Sequence, residues 1–135
     1  MLHLASRSPR RAELLRLVGV DFVLVDVEVD EARLSGEAPA DYVLRVASDK
    51  ARAGSAELAP GAVVLAADTT VTIDGEIFGK PRDERDAHAM LSRLSARWHE
   101  VLTAVVVSVD GRQFSDVVTT RVEFRALTAA TIAAY

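Results

Sequence analysis

The sequence predicts an α/β fold built on a mixed β-sheet with flanking helices. Helical and strand patterns alternate through the first half of the chain, as in sheet-and-helix layer folds. Residues 62–67 form a continuous apolar run with the character of a buried central strand. Two Asp-Gly pairs, Asp74-Gly75 and Asp110-Gly111, mark tight hairpins in the second half, so part of the sheet must be antiparallel.

The elements follow in order. Residues 3–6 read as a short strand, and Ser8-Pro9 as the cap and first residue of a helix over 9–18, with Gly19 suited to its C-terminal end. Residues 21–29 are β-rich and alternate in their second half, which predicts a strand. A polar loop spans 30–37, then a helix runs over 40–57 to a Pro60-Gly61 turn. The apolar strand at 62–67 ends at Asp68-Thr69-Thr70. Asp74-Gly75 joins 71–73 to 76–78, and Asp110-Gly111 joins 101–109 to 113–124. Between the hairpins, 83–95 reads as a helix with apolar Ala87, Met90, Leu91 and Leu94 on one side. The stretch 127–135 looks like a helix capped at Thr128 that stops after about two turns, and the expectation is that the chain is cut short relative to its relatives.

Composition narrows the function classes. The chain has 135 residues, half of them hydrophobic, enough for one domain with a real core. A formal charge of −4 argues against non-specific nucleic-acid binding, which needs a basic surface. The absence of cysteine excludes disulfides and thiolate metal sites. No apolar run is long enough to span a membrane, so the expected setting is soluble and cytoplasmic, without a membrane partner.

Several polar residues sit where folding alone does not call for them. Arg10 and Arg11 crowd the first turn of a helix, the positive end of its dipole, where cations are unfavourable. An anion held by free backbone N–H groups and guanidinium forks explains them; a solvated basic helix end is the alternative. Arg11 starts the apolar row Leu14, Leu15 and Val18, whereas Arg10 points about a quarter-turn away. Lys50 lies within the stripe of Val43, Leu44, Val46, Ala47, Ala51 and Gly54, with Arg45, Ser48, Asp49 and Arg52 opposite. It either snorkels along apolar surface or aims a cation into a cleft.

Asp68 ends the apolar strand, near the sheet mouth where α/β proteins place ligands. It is either a turn aspartate or a metal ligand or general base. Lys80, in Gly79-Lys80-Pro81, follows the hairpin that Asp68 introduces. Glu28, Asp30 and Glu31 form an acidic cluster that is either a solvated loop or the source of a second ligand for a hard divalent cation. His88 and His99 lack partners at metal spacing and read as structural. Cations around one or two carboxylates suit phosphoryl transfer. No Walker loop and no nucleophile-elbow motif is present.

Taken together, these stretches resemble the Maf family of nucleoside triphosphate pyrophosphatases. They are Leu4-Ala5-Ser6-Arg7-Ser8-Pro9-Arg10-Arg11 with Glu13-Leu14-Leu15, Asp30-Glu31 before Gly36-Glu37-Ala38-Pro39, and Tyr42-Val43-Leu44-Arg45-Val46-Ala47 with Lys50-Ala51. Ala66-Ala67-Asp68-Thr69-Thr70-Val71, Gly79-Lys80-Pro81 and His99-Glu100-Val101-Leu102-Thr103-Ala104-Val105 complete the set in family order.

The resemblance implies a mixed α/β fold similar to the inosine triphosphate pyrophosphatases (the Maf/Ham1 fold), with two lobes around a cleft. It implies hydrolysis of a nucleoside triphosphate to the monophosphate and pyrophosphate with a divalent metal, Mg²⁺ or Mn²⁺, and a homodimer as one assembly option. By family role Asp68 is the catalytic proton acceptor, and Ser8, Arg10, Arg11, Lys50 and Lys80 line the phosphate site. Asp68 and Glu31 are the expected metal contributors. Arg10 and Thr69 match the branch acting on dTTP and UTP; the branch acting on 7-methyl-GTP carries tryptophan and glutamine there. Family members continue past Tyr135 with a further segment, so residues 1–135 are read as one Maf-like domain lacking it. A truncated, catalytically inactive nucleotide-binding or septum-regulating protein is the alternative.

Overall fold

The computed structural model describes residues 1–79 and 81–134. Its centre is a six-stranded mixed sheet. The strands are β1 (Leu2–Ala5), β2 (Phe22–Val25), β3 (Val63–Ile73), β4 (Glu76–Phe78), β5 (Trp98–Val109) and β6 (Arg112–Glu123). The helices are α1 (Pro9–Leu17), α2 (Pro39–Ala56), α3 (Glu84–Leu94) and α4 (Ala129–Ala134). The sheet order is β2-β1-β3-β5-β6, with β4 also paired to β3. β1 runs parallel to β2 and β3; every other pairing is antiparallel. Among the described residues, no helix is long and apolar enough to cross a membrane.

Local chemistry sets these elements. Ser8 caps α1 by accepting from the Arg11 backbone N–H, and Pro9 opens the helix. Gly19 follows the helix end at φ +77°, a conformation that costs glycine little. Both hairpins turn as the Asp-Gly pairs predict: Asp74 and Gly75 have φ of 53° and 76°, and Asp110 and Gly111 have 49° and 76°, the signature of a type I′ turn. Asp83 caps α3 through the Asp86 N–H, and Thr128 accepts from the Thr131 N–H at the start of α4.

The core lies between α2 and the sheet. Val43, Ala47 and Ala51 of α2 pack on Ala5, Val64, Ala66, Leu102, Ala104 and Val106. Small residues let helix and sheet approach closely. A Cβ on Gly54 would lie 3.1 Å from the Ala5 Cβ and 3.2 Å from Val64 Cγ1. Burying each valine contributes about 1.5–3 kcal/mol.

The structure differs from the sequence reading in particular places. β2 covers only Phe22–Val25, not the whole of 21–29, because β1, its one partner among the described residues, ends at Ala5 opposite Val25. The apolar row of α1 is not buried: Leu14 is 53% exposed and Val18 70%, and Ala12 is the residue that packs inward. Ser48 is buried rather than solvent-facing, and its carbonyl accepts from Gln113 of β6.

One feature of register creates an opening. β1 pairs with β3 only as far as Leu4–Leu65, and β4 pairs with β3 only from Val71 onward. Among the described residues, the β3 segment between these pairings has β5 on one edge and no strand on the other. Asp68 and Thr69 lie in that gap.

Candidate active site

The gap in the sheet is flanked by the first turn of α1, by Lys50 of α2 and by the loop after β2. Because β1 and β3 are parallel, the chain leaving β1 enters α1 on the side where β3 reaches Asp68. A polar cleft of about 500 Å³ opens there, lined among others by Ser8, Arg11, Glu28, Glu31, Lys50 and Asp68.

Lys50 is not a snorkelling lysine. Its side chain is 16% exposed, and its Nζ lies 3.2 Å from Asp68 Oδ1 and 3.4 Å from Glu31 Oε1. One half-buried cation thus joins a strand residue to a loop residue. Tyr42, on α2, braces the loop by donating its hydroxyl hydrogen to the Glu31 carbonyl at 2.6 Å. Burial pushes the Asp68 carboxyl above the ordinary aspartate range, and Glu31 adds to the rise; Lys50 and Arg11 pull against it. A buried carboxylate held this way is a better proton acceptor than an exposed one.

Arg11 turns inward. It donates to Ser6 Oγ at 3.4 Å and to Thr69 Oγ1 at 3.2 Å, and burial lowers its pKa from the ordinary arginine value. Thr69 Oγ1 is also 3.0 Å from Thr103 Oγ1 on β5. On the far side of Arg11 lies a second cavity of about 590 Å³, whose walls include Leu4, Leu14, Leu15, Leu65 and Val105. Ser8, Arg11 and Thr69 line both cavities, and Arg10 lines the apolar one. A polar cleft and an apolar pocket therefore share one wall.

Most of the residues expected from the sequence converge: Ser8, Arg11, Glu31, Lys50, Asp68 and Thr69 all line the polar cleft, with Arg10 at the neighbouring pocket. Lys80 lies outside the described residues. Asp30 is used locally, accepting from the Ala32 N–H. His99 is buried against Phe124 in an edge-on ring contact and lines neither cavity, and His88 is exposed. The sequence reading missed Ser6, Tyr42 and Thr103. Ser6 had a signal in its place beside Ser8 and the arginines; the other two act through contacts that no local pattern encodes.

The donor set suits a hard divalent cation. Asp68 and Glu31 each place a carboxylate oxygen within 3.4 Å of Lys50 Nζ, a pair of hard oxygen ligands, and no group of three or more His, Cys, Asp or Glu gathers among the described residues. Glu28, Glu31 and Asp68 line the cleft that would receive an anion, a repulsion that a bound cation relieves.

Comparison with known proteins agrees with this architecture. The solved structure of the Staphylococcus aureus Ham1 protein superposes with a TM-score of 0.63 at 17% identity, over 90% of this chain and 70% of that one. A nucleoside-triphosphatase described as a dITP/XTP pyrophosphatase from Mycobacterium abscessus gives 0.55 at 21%, over 89% and 71%. At these identities the likeness is one of fold. Sequence relatives are nearer. The dTTP/UTP pyrophosphatase of Methylobacillus flagellatus is 52% identical over 136 residues, covering 99% of this chain and 68% of the relative. That of Photorhabdus laumondii is 46% identical, covering 99% and 69%. The profile of the Maf-like protein family matches residues 1–135, and with these relatives it establishes that the chain belongs to the Maf family.

Proposed function

We propose that this chain is a nucleoside triphosphate pyrophosphatase that hydrolyses dTTP and UTP to the monophosphate and pyrophosphate. The observation that carries the reading is the partly buried Asp68–Lys50 pair in a polar cleft that shares the Arg11–Thr69 wall with an apolar pocket. A nucleotide has the same division, an anionic chain joined to a flat base. The relatives named dTTP/UTP pyrophosphatase support the substrate class.

The triphosphate lies in the polar cleft. Arg11 and the start of α1 bind its oxygens with guanidinium and backbone donors, and Lys50 adds its charge. Lys80 joins this set on the strength of the family motif alone. Asp68 accepts a proton from the water that attacks the α-phosphorus, and the bond to the pyrophosphate leaving group breaks. Mg²⁺ or Mn²⁺, held by Asp68 and Glu31, would supply Lewis acidity and neutralise phosphate charge. The base enters the apolar pocket, where Arg10 and Thr69 meet its polar edge. Arg10 and Thr69 stand where the branch acting on dTTP and UTP carries them, which supports a pyrimidine base.

Pyrophosphate release from dTTP, UTP, CTP and 7-methyl-GTP, each with Mg²⁺, with Mn²⁺ and with chelator, tests the proposal. We expect metal-dependent release with dTTP and UTP ahead of the others. Nucleotide binding without release in every metal would refute the enzymatic reading and favour a binding protein.

A further inference from the structure

We propose that Thr103 is a specificity-determining residue, which with Thr69 forms a hydroxyl pair presenting a hydrogen-bond donor to the 4-carbonyl of a uracil or thymine ring. The inference rests on the pyrophosphatase reading above and extends it to a residue on a different strand.

The β3–β5 register sets Thr69 directly opposite Thr103, on the same sheet face as Leu65, Ala67 and Val105. The floor of the pocket is otherwise apolar. Valine at position 103 would serve the strand equally well, so the hydroxyl is not demanded by the sheet.

Hydrogen counting gives the pair its polarity. Arg11 can only donate, and it donates to Thr69 Oγ1 at 3.2 Å. The two hydroxyls, 3.0 Å apart, carry two hydrogens and share one of them. The other has no acceptor among the described residues. Whichever threonine holds it, the pair faces the pocket with a hydrogen to give, and Arg10 lines the same pocket with donors only.

Uracil and thymine place a carbonyl oxygen at ring position 4, whereas cytosine places an amino group there. The carbonyl accepts the spare hydrogen; the amino group sets donor against donor. A hydroxyl can also turn to accept, so the discrimination is graded rather than absolute.

The test is calorimetric binding of α,β-methylene-UTP and α,β-methylene-CTP to the full chain, with thermal melting of each variant in parallel. The unaltered chain should prefer the uridine analogue. Thr103→Val should reduce that preference about three- to tenfold, the worth of one neutral hydrogen bond. Thr103→Ser, which keeps the hydroxyl, should retain the preference. A Thr103→Val variant that melts lower yet keeps the full preference would make the pair purely structural and overturn the proposal. Equal binding of the two analogues by the unaltered chain, or no binding of either, also overturns it. The uridine preference without pyrophosphate release from UTP supports the role of Thr103 and counts against the proposed reaction alone.

Discussion

Replacing Lys50 by methionine isolates the charge that holds the site together. Methionine keeps the length and apolar stem and removes the ammonium group. Asp68, with its side chain 10% exposed, then keeps Arg11 as its nearby cation among the described residues and still faces Glu31. A charge pair at 3.2 Å attracts by about 5 kcal/mol at an effective dielectric near 20. Desolvation of the lysine offsets part of this, and removing one partner of a buried pair costs about 3–5 kcal/mol net. Glu31, 50% exposed, is screened by water and adds little. We therefore expect a loss of about 2–4 kcal/mol near pH 7.5, a fall in Tm of roughly 6–16 °C.

The loss must depend on pH. Without Lys50, the folded-state pKa of Asp68 rises further above its unfolded value. The folded state then binds the proton more tightly than the unfolded one, so the variant gains stability as pH falls through that raised pKa. Below the ordinary aspartate range both states are protonated and the Asp68 penalty is gone. Thermal melting of wild type, Lys50→Met, Asp68→Asn and the double variant at pH 7.5 and pH 4 provides the assay. Lys50→Met should approach wild type at pH 4, and the double variant should recover much of the loss at pH 7.5. An equal deficit at both pH values would mean that packing, not charge, is lost. No deficit at pH 7.5 would refute the coupling itself.

Two other substitutions probe the chemistry and the fold. Asp68→Asn should lower turnover by about 10²–10⁴-fold while nucleotide binding stays measurable, as checked by pyrophosphate release and calorimetry; unchanged turnover would remove Asp68 from its assigned role. Since burial raises the Asp68 pKa, its ionised form opposes folding above that pKa. The amide removes that cost but leaves Lys50 with Glu31 alone, so Asp68→Asn should melt near wild type at pH 7–8 and match it at acid pH, where Asp68 is neutral too. Gly54→Val should cost about 2–4 kcal/mol in chemical denaturation, because the new Cβ meets the Ala5 Cβ, anchored to a central strand that cannot yield.

Local patterns carried much of this molecule. The Asp-Gly pairs determined two type I′ hairpins, because a left-handed pair of residues between strands leaves few other outcomes. Helical periodicity marked the buried face of α2 and exposed Lys50 as an anomaly on it. Ser8-Pro9 defined the start of α1, and with it the place of the two arginines.

Tertiary structure decided what no local window contains. Lys50 and Asp68 are 18 residues apart, Thr69 and Thr103 34, and Arg11 and Thr69 58. Their meeting depends on strand register, and a one-residue slip would turn each strand side chain to the other face. The cleft exists because β1 stops pairing before β3 does, a matter of relative strand length rather than of any residue in the gap. The short β2 likewise follows from where β1 ends. Composition and periodicity say which surface a segment can bury, whereas only the packed partners determine how much of it is covered.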